Sequence, residues 1–352
     1  MGLGAHIAVD GRVDAELAGA SQVEVYERLG ETTTFRIRYD VDIGKGDLPR
    51  LADERLGPGS MLSVLVPVKG TSHCLVMGPV QGQRIHLVHG GPGSWLEVHG
   101  ADASSPMDRE DRSAIWADVS DSEVVATLAQ RHGLVPDVES TSARHSERQH
   151  TLVQRESDLR LVRRLARRNG YLFWVTANAM GVKTAHFKRP PLGGTPAVSL
   201  SINSPSPQVR ALDLQWDVER PTRIEARQLD LNTKEAIDGG AERSPLSQLG
   251  AKDLGSVTGE ERSLFLSAPA DDAGGLRARA EGALQEALWF IRARCEVRLD
   301  TVGTLVRAHT VVELLGAGRR HSGRYLVAAV RHTLDASLHR MELELARNGW
   351  EA

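Results

Sequence analysis

Cysteine and aromatic side chains are scarce in this chain of 352 residues, which contains two cysteines and only 4% Phe, Trp and Tyr. Cys74 and Cys295 lie far apart in sequence and fit neither a CxxC pair nor the spacing of zinc ligands. We therefore expect two buried, reduced thiols. The shortage of aromatic rings argues against a surface on which nucleic-acid bases could stack.

The chain also lacks a basic excess and a long apolar run. Its formal net charge is -3, whereas proteins that mainly bind nucleic acids or anionic membranes usually carry a strong positive charge. No apolar run approaches the roughly 18 residues of a membrane-spanning helix, and no signal peptide marks the start. We predict synthesis in the cytoplasm, no direct membrane insertion and no nucleic-acid binding.

What is present has the composition of a globular protein, with 41% hydrophobic and 25% charged residues. The length allows two or three domains. Residues 1–100 indicate β-structure, because Phe35, Ile37 and Tyr39 alternate with charged residues. The further strands predicted here are separated by glycine-rich turns, which favours a small barrel or sandwich. They are Met61–Val68, Cys74–Val80, Arg84–Val88 and Trp95–His99.

Residues 101–204 predict a compact α/β module. One amphipathic helix, Glu123–His132, is capped by the preceding polar stretch Ser120-Asp121-Ser122 and ends at Gly133. A second helix, Leu159–Arg168, is capped by Ser157 or Asp158 and ends at Asn169-Gly170. The strands predicted around these helices are Gln149–Gln154, Tyr171–Thr176 and Lys183–Phe187.

Residues 205–352 return to β-structure around one long polar segment. Asn232–Gly275 is rich in Gly, Ser, Asp and Glu, so we predict a long loop that is either flexible or ordered on a partner. A helix, Leu276–Ala293, follows it. A closing hairpin turns at Asp335-Ala336-Ser337. The predicted strands are Val209–Val218, Thr222–Leu231, Thr310–Leu315, Arg324–Leu334 and Leu338–Arg347.

Three segments carry a family resemblance: Ser122–Gly133, Gln149–Tyr171 with the order V-Q-x-E-S-D-L, R-R-L-A and N-G-Y, and Gly323–Trp350 with G-x-Y-x-V-x-x-V-x-H. Together they resemble the late control D family of phage tails and the N-terminal hub half of VgrG-type spike proteins. The motif is structural, since it caps a helix and supplies a left-handed exit from it. Its residues are Gln154, Glu156, Ser157, Asp158, Leu165, Asn169, Gly170, Tyr171, Gly323, Tyr325, Val327 and His332.

The resemblance implies a mixed, β-rich α+β fold with two tail-tube-like small β-barrels and an inserted α/β module. The boundaries expected are 1–100 for the first barrel, 101–204 for the module and 205–352 for the second barrel, including loop 232–275 and helix 276–293. It also implies a homotrimer, whose six barrels form a pseudo-sixfold ring between a trimeric spike and a hexameric inner tube.

The function implied is that of a baseplate hub in a contractile phage tail or phage-tail-like injection system, and not of an enzyme. No catalytic, cofactor-binding or metal-binding residue is expected. No OB-fold or needle follows Trp350, so a separate spike protein is expected as a partner. The inner tube protein and other baseplate subunits are the remaining partners.

Two enzymatic or metal-binding alternatives remain open. His89–Gly93 (HGGPG) matches the oxyanion-hole stretch of some α/β-hydrolases, but that chemistry needs a G-x-S-x-G nucleophile elbow, which the sequence lacks. His86, His89 and His99 fall in one β region and have the side chains of zinc ligands. Their spacing does not bring them to one face, so surface or turn histidines are the alternative interpretation.

A third alternative concerns the second predicted helix, which carries five arginines: Arg160, Arg163, Arg164, Arg167 and Arg168. Nucleic-acid phosphates are one class of partner for such a row. A solvated helix face whose last bases favour the helix dipole is the second interpretation, and an acidic patch on a partner protein is the third. The low aromatic content and the net charge favour the solvated face over nucleic acid.

Overall fold

The computed structural model describes residues 4–42, 50–89, 93–142, 144–146, 151–229, 234–266 and 273–351. Strands make up 45% of the chain and helices 17%, so the prediction of a β-rich mixed fold is confirmed. In the part of the chain that is described, no helix is both long enough and apolar enough to cross a membrane.

Seven strands form the described part of the first β region, and β3 was not predicted although its sequence QVEVYER alternates. The predicted strands Cys74–Val80 and Arg84–Val88 are one continuous strand, β6. Gly82, which separates the two predicted strands, does not mark a turn: β6 continues through it with a shift in register against β7. A Cβ there would lie 2.7 Å from His99 Nε2, so this glycine permits close strand contact instead. The strands are β1 (His6–Val9), β2 (Arg12–Val13), β3 (Gln22–Arg28), β4 (Thr34–Asp40), β5 (Met61–Val68), β6 (Thr71–His86) and β7 (Trp95–Ala101).

The middle region contains the two predicted helices, α1 and α2, with the predicted caps at Ser120 and Ser157. Each predicted helix lies within two residues of the observed bounds, because both the apolar period and the cap are local signals. The elements are β8 (Asp111–Trp116), β9 (Val119–Ser120), α1 (Asp121–Arg131), β10 (Val135–Val138), β11 (Arg144–His145), β12 (Leu152–Ser157), α2 (Asp158–Arg168), β13 (Leu172–Ala177) and β14 (Lys183–Lys188).

The second β region ends in the predicted hairpin, in which the Asp335 carboxylate accepts the backbone N–H groups of Ser337 at 2.8 Å and Leu338 at 2.9 Å. Its elements are β15 (Ser199–Ser201), β16 (Leu212–Trp216), β17 (Arg223–Leu229), β18 (Ala236–Asp238), α3 (Leu254–Thr258), β19 (Ser263–Leu266), α4 (Ala273–Ala287), β20 (Ile291–Arg298), α5 (Leu299–Val302), β21 (Val311–Leu315), β22 (Gly323–Asp335) and β23 (His339–Arg347).

The structure corrects two predictions in this region. The segment 232–275 is not a loop throughout: β18, α3 and β19 lie within it, and β18 and β19 flank β17 in a three-stranded sheet. The following helix ends at Ala287, not at residue 293, because β20 begins at Ile291. Ile291, Ala293 and Cys295 alternate with charged residues and face a core, which is a strand period.

Strands from both β regions form one 13-stranded sheet in the order β16-β20-β23-β22-β3-β4-β7-β6-β5-β1-β2, with β21 on β22 and β15 on β21. One edge of β22 pairs first with β21 and then with β3, so this strand joins the two regions. Over the described strands the sheet does not close into a barrel. Two small barrels and an inserted module therefore remain predictions.

The three largest hydrophobic clusters among the described residues accompany the three regions. The first is built around Ile7, Phe35 and Ile37 and includes Leu334 of β22. The second packs both middle helices against β13 and β14 around Leu128, Leu165 and Phe173. The third lies between the strands of the second β region around Ile291, Tyr325 and Leu345. Leu334 shows that the last hairpin contributes to the first core as well as to its own.

Candidate functional site at the junctions of the fold

The motif residues at the start of α2 form a helix cap backed by a buried carboxylate. The Ser157 hydroxyl accepts the backbone N–H of Arg160 at 3.2 Å, which satisfies one unpaired donor of the first turn. Asp158 is buried and accepts hydrogen bonds from Gln154 Nε2 and His132 Nε2, both at 2.8 Å. Burial alone would raise the pKa of Asp158, but the donated hydrogen bonds lower it, so the carboxylate is charged.

Gln154 and Glu156 connect β12 to its neighbours. Gln154 Oε1 accepts the indole N–H of Trp116 at 3.1 Å, and Glu156 forms an ion pair with Arg164 of α2 at 2.6 Å. The structure thus brings the first four motif residues into one network around the start of the helix. Trp116 and His132 belong to that network but were not predicted, because they are distant in sequence.

Asn169 ties the end of α2 to the start of α1. Its side-chain amide donates to the Leu165 carbonyl at 2.8 Å and to Asp121 Oδ2 at 2.7 Å. Asp121 is buried and also accepts from His145 Nε2 at 2.7 Å. Burial opposes this charge, yet the pKa of Asp121 is lowered by His145, Arg168 and Asn169. The carboxylate therefore fixes the relative positions of two helix ends.

Gly170 brings the middle region against the second β region. Its φ of +65° is the left-handed exit that the sequence predicts, and a Cβ there would lie 2.5 Å from Gln285 Oε1 of α4. On the facing helix, a Cβ at Gly282 would lie 2.7 Å from the Arg167 carbonyl oxygen. Two glycines therefore allow the end of α2 and the middle of α4 to meet at their backbones.

Leu165 and Tyr171 are core residues of the middle region. The Tyr171 hydroxyl donates to the Ser140 carbonyl at 3.1 Å, which satisfies its polar end. Burial raises the pKa of Tyr171, so the hydroxyl keeps its proton. Both positions contribute packing and chain direction and present no reactive group.

The motif residues of the closing hairpin surround a buried arginine that sequence reasoning missed. Tyr325 donates its hydroxyl to the His321 carbonyl at 2.8 Å and lies 5.2 Å below the Arg347 guanidinium. Arg347 is fully buried and donates to the carbonyls of Leu249 at 3.1 Å and Ser322 at 2.9 Å. Gly323 lies against this guanidinium. Arg347 thereby holds part of the segment predicted as a loop.

His332, the last motif residue, belongs to a buried polar cluster where β3 meets β22. Glu27 of β3 forms an ion pair with Arg307 and accepts the Ala308 N–H at 2.9 Å. His332 Nε2 lies 3.7 Å from Glu27 Oε1, and its Nδ1 lies 3.0 Å from His339 Nε2. Burial opposes the charge on Glu27, but Arg307 and His332 hold its pKa at about 2.

Arg307 extends this cluster to a third strand. Its guanidinium donates to the carbonyls of Cys74 at 2.9 Å and Leu75 at 2.8 Å, both on β6. One ion pair therefore joins β3, β6 and the chain segment before β21. Val327, the remaining motif residue, packs in the adjacent core. The cluster cross-links the two β regions across their shared sheet.

Four of the five arginines on α2 are engaged within the chain. Arg160 pairs with Asp111 at 2.5 Å, Arg164 with Glu156, and Arg168 with Asp121 at 3.1 Å. Arg163 donates to Thr32 Oγ1 at 2.7 Å. Phosphate binding needs a row of free cations, and most of these arginines are already engaged by internal contacts. Arg160 and Arg167 are the exposed members, and Arg160 is ion-paired.

The other candidate residues lie apart or outside the description. Residues 90–92 of the HGGPG stretch lie outside the described residues. His86 stacks on Trp95 with 5.5 Å between ring centroids, and no group of three or more metal-ligating side chains occurs in the described ranges. Cys74 and Cys295 are buried, free thiols as predicted, and burial raises the pKa of each, to about 11 and about 12.

Comparisons with known proteins identify the fold. Residues 3–336 match the family model described as the Alg8 N-terminal domain. No curated protein matches the sequence. Among solved structures, the 43 kDa tail protein of prophage MuSo2 from Shewanella oneidensis superposes with a TM-score of 0.71 at 15% identity, covering 98% of each chain.

Two further structures agree with this match. The tail protein from Neisseria meningitidis MC58 gives a TM-score of 0.68 at 13% identity, with 99% of this chain and 98% of that chain covered. The Escherichia coli c3393 protein, a component of the type VI secretion system, gives 0.60 at 13% identity and covers 97% and 76%. The resemblance seen in the sequence is thus confirmed at the level of a tail-protein-like fold.

Proposed function

The chain belongs to the Alg8 N-terminal domain family, and from its tail-protein-like fold and its cross-linked β regions we propose that it is a structural baseplate hub. In this role it joins a spike protein to the inner tube of a contractile phage tail or phage-tail-like injection system. It acts by shape and carries out no chemical reaction. The late control D and VgrG-type hubs are the proteins whose role it shares under this proposal.

The joining of two β regions into one sheet is the observation that carries the proposal. Strands β3 and β22 pair over seven residues, and the Glu27–Arg307 ion pair buttresses that pairing. A part that transmits force between a spike and a tube needs such a rigid connection. The two regions would then act as one body.

Symmetry matching gives the proposed assembly. Three copies, each with two tail-tube-like β units, present six similar units, which match the six subunits of a hexameric tube. The three chains themselves match the three subunits of a trimeric spike. Among the described strands, β16 pairs only with β20 and β2 only with β1. Neighbouring subunits in a closed ring would cover such edges, which otherwise favour aggregation.

The proposed domains follow the three hydrophobic cores. Residues 1–100 and 205–352 supply the two tube-like units, and residues 101–204 form an inserted module at the rim that contacts other baseplate subunits. Separate cores around Phe35, Phe173 and Tyr325 support this division. The twelve motif residues serve folding and junctions within this plan, not catalysis.

Native mass spectrometry and electron microscopy of the purified full chain test the proposal. We expect a mass of three copies and a ring with a central channel and sixfold-like features. In particles carrying a tagged chain, the label should lie where the tube meets the spike. A strictly monomeric chain that joins neither tube nor spike on co-expression would contradict the hub role, as would a label distributed along the sheath.

A further inference from the structure

A cleft of about 710 Å³ opens where the three regions of the chain meet. Its walls are α2, the β3–β4 connection, α4 and the neighbouring strands β20 and β23. Six arginines line it: Arg28, Arg160, Arg163, Arg164, Arg167 and Arg292. Four glutamates lie between them: Glu31, Glu156, Glu286 and Glu344. The lining therefore carries a positive excess within a chain whose net charge is negative.

The excess is concentrated on three arginines. Arg164 and Arg28 are compensated within the cleft by Glu156 and Glu31, at 2.6 and 3.9 Å, and Arg160 pairs outside it. In the described part of the chain, no carboxylate lies within ion-pair distance of Arg163, Arg167 or Arg292. Burial is the main cause of a lowered pKa at Arg292, and Arg220 acts in the same direction against the nearby carboxylates of Glu344 and Glu286. A further anion beside Arg292 would therefore be stabilising.

Arg163 is held in place by a chain of hydrogen bonds. Buried Asp102 accepts from the Ser104 hydroxyl at 2.6 Å, and Ser104 Oγ lies 3.1 Å from Thr32 Oγ1. Thr32 Oγ1 in turn accepts from Arg163 Nη2 at 2.7 Å. The guanidinium is thus oriented before any partner arrives, which reduces the entropy lost on binding.

Two polar atoms in the cleft wall are buried without a hydrogen-bond partner. They are Arg163 Nε and Gln285 Oε1, and the whole Gln285 side chain is 4% exposed. Such unsatisfied groups are uncommon in folded proteins and carry a free-energy cost. Arg163 Nε lacks an acceptor, which a ligand carboxylate would supply, and Gln285 Oε1 lacks a donor, which a peptide N–H would supply. Beside three arginines that have no carboxylate at ion-pair distance, these two atoms point to an acidic peptide as the ligand that completes the site.

We propose that this cleft binds a short acidic segment of a partner protein, with carboxylates at Arg163, Arg167 and Arg292 and apolar side chains against Trp289 and Leu172. The identity of the partner as another baseplate subunit rests on the proposed function. The binding itself rests only on the cleft. Because the three regions build the walls together, the segment would recognise only a correctly assembled chain.

A peptide fits the cleft better than a nucleic acid does. The four glutamates would repel a phosphate backbone, whereas a peptide can place its carboxylates beside the arginines alone. The volume falls in the range of sites that hold small ligands or short segments and is too small for a duplex. Leu172, which is partly exposed, and one face of Trp289 are the apolar side chains of the lining that an extended peptide could contact.

Fluorescence anisotropy with the full chain tests the proposal. The probe is a fluorescein-labelled peptide of alternating glutamate and leucine, and the matched probe carries glutamine in place of glutamate. We expect the acidic peptide to bind and the glutamine peptide to bind about tenfold or more weakly. The double variant Arg167→Glu with Arg292→Glu should lose at least about tenfold in affinity, while Arg319→Glu on an exposed turn outside the cleft should not change it.

Several outcomes would overturn the proposal. Equal binding of both peptides would remove the role of the carboxylates, and tighter binding of single-stranded DNA would assign the cleft to nucleic acid. If the double variant loses its circular dichroism spectrum, Arg167→Gln with Arg292→Gln replaces it, and unchanged affinity in that folded variant would contradict the assignment.

A photo-crosslinker at position 167 in assembled particles identifies the occupant. A crosslink to an acidic segment of another baseplate subunit supports the proposal, whereas one to a second copy of this chain or to a segment without acidic residues contradicts it. The two proposals fail separately. If the chain binds the peptide but is absent from the joint between tube and spike, the hub role is contradicted and the proposal for the cleft is not.

Discussion

Two of the junctions between the regions of this molecule are built in opposite ways. Between the two β regions, β3 and β22 pair side by side and a buried ion pair, Glu27–Arg307, crosses the seam. Between the middle region and the second β region, α2 and α4 meet at Gly170 and Gly282. The first junction depends on charge in a low-dielectric interior, and the second depends on the absence of side chains.

The difference predicts how each junction fails. A buried charge that loses its partner leaves an uncompensated ion, which is costly. A glycine that gains a methyl group forces a local displacement, which is less costly when a side chain can move. The β-region junction should therefore be the more sensitive to single substitutions and to pH, and the helix junction should be the more readily repaired by a second substitution.

Replacing Glu27 should cause the largest effect. Glu27→Gln keeps the shape but leaves the Arg307 guanidinium without its buried counter-charge, so we expect the free energy of unfolding to fall by roughly 3–5 kcal/mol. Urea unfolding followed by circular dichroism measures this. Glu24→Gln, three residues earlier on the same strand and only partly buried, is the control. A loss below about 1 kcal/mol for Glu27→Gln would mean that the ion pair does not stabilise the seam.

Acid should weaken the same junction in two steps. Burial, together with the neighbouring His332, lowers the pKa of His339 to about 3, from an ordinary value of 6.5. A lowered folded-state pKa means that the stabilisation is present above pH 6.5 and is lost as the pH falls towards 3. Glu27, whose pKa is lowered from 4.5 to about 2, adds a loss that begins only below about pH 4.5.

Unfolding free energies measured at pH 7, 5.5 and 4 separate the two steps. The folding equilibrium constant should fall by at most about tenfold per pH unit for each such histidine. In His339→Gln, the loss between pH 6.5 and 4.5 should be smaller, while the loss attributable to Glu27 persists. Identical profiles for the variant and the parent chain would exclude His339 as a source of acid sensitivity.

The sequence reveals the junction between α2 and α4 better than it reveals the junction between β3 and β22. The cap at Ser157 and the left-handed Gly170 are local signals, so α2 and its end could be predicted within two residues. Arg307 lies 280 residues from Glu27, and no local period reports such a pair. The tail-like fold could be recognised from motifs, but the contacts that join its regions could not.

The misread segment 232–275 has the same physical cause. Its apolar residues are sparse, and Leu246, Leu249 and Leu254 are buried against elements that are distant in sequence. Arg347 holds the Leu249 carbonyl from the final strand. Because contacts with distant residues fix the conformation of this segment, its local composition is that of a loop and does not reveal its strands and helix. The start of β20, by contrast, does carry a strand alternation in its sequence. The helical period before it continues into the first residues of that strand, so the predicted helix was extended too far.

Gly170→Ala should have an intermediate effect, and Gly133→Ala provides a matched control. Both glycines have a left-handed φ, +65° and +67°, so alanine costs about 1 kcal/mol or more at either position. A Cβ at Gly133 meets no atom within 4 Å, whereas one at Gly170 meets the Gln285 amide at 2.5 Å. We expect Gly170→Ala to lose roughly 1–3 kcal/mol more than Gly133→Ala.

A second substitution sharpens this test of the helix junction. Gln285→Ala removes the side chain that the new methyl group meets, so it should recover most of the excess loss in Gly170→Ala. The parent chain, Gly170→Ala, Gln285→Ala and the double variant form a double-mutant cycle, whose unfolding free energies are measured in urea. If Gly170→Ala and Gly133→Ala lose equal stability, close contact between α2 and α4 is not what requires glycine at position 170.

The smallest effect should come from removing the cap at the start of α2, the helix whose other end meets α4. Ser157→Ala removes the acceptor for the Arg160 N–H, and caps of this kind contribute about 1 kcal/mol. Ser120→Ala in α1 removes a comparable bond to the Glu123 N–H at 3.3 Å, but α1 does not carry the contact with α4. Equal losses in unfolding free energy are therefore expected, with faster amide hydrogen exchange in α4 only for Ser157→Ala. Unchanged exchange in α4 would show that the start of α2 is energetically separate from the junction at its end.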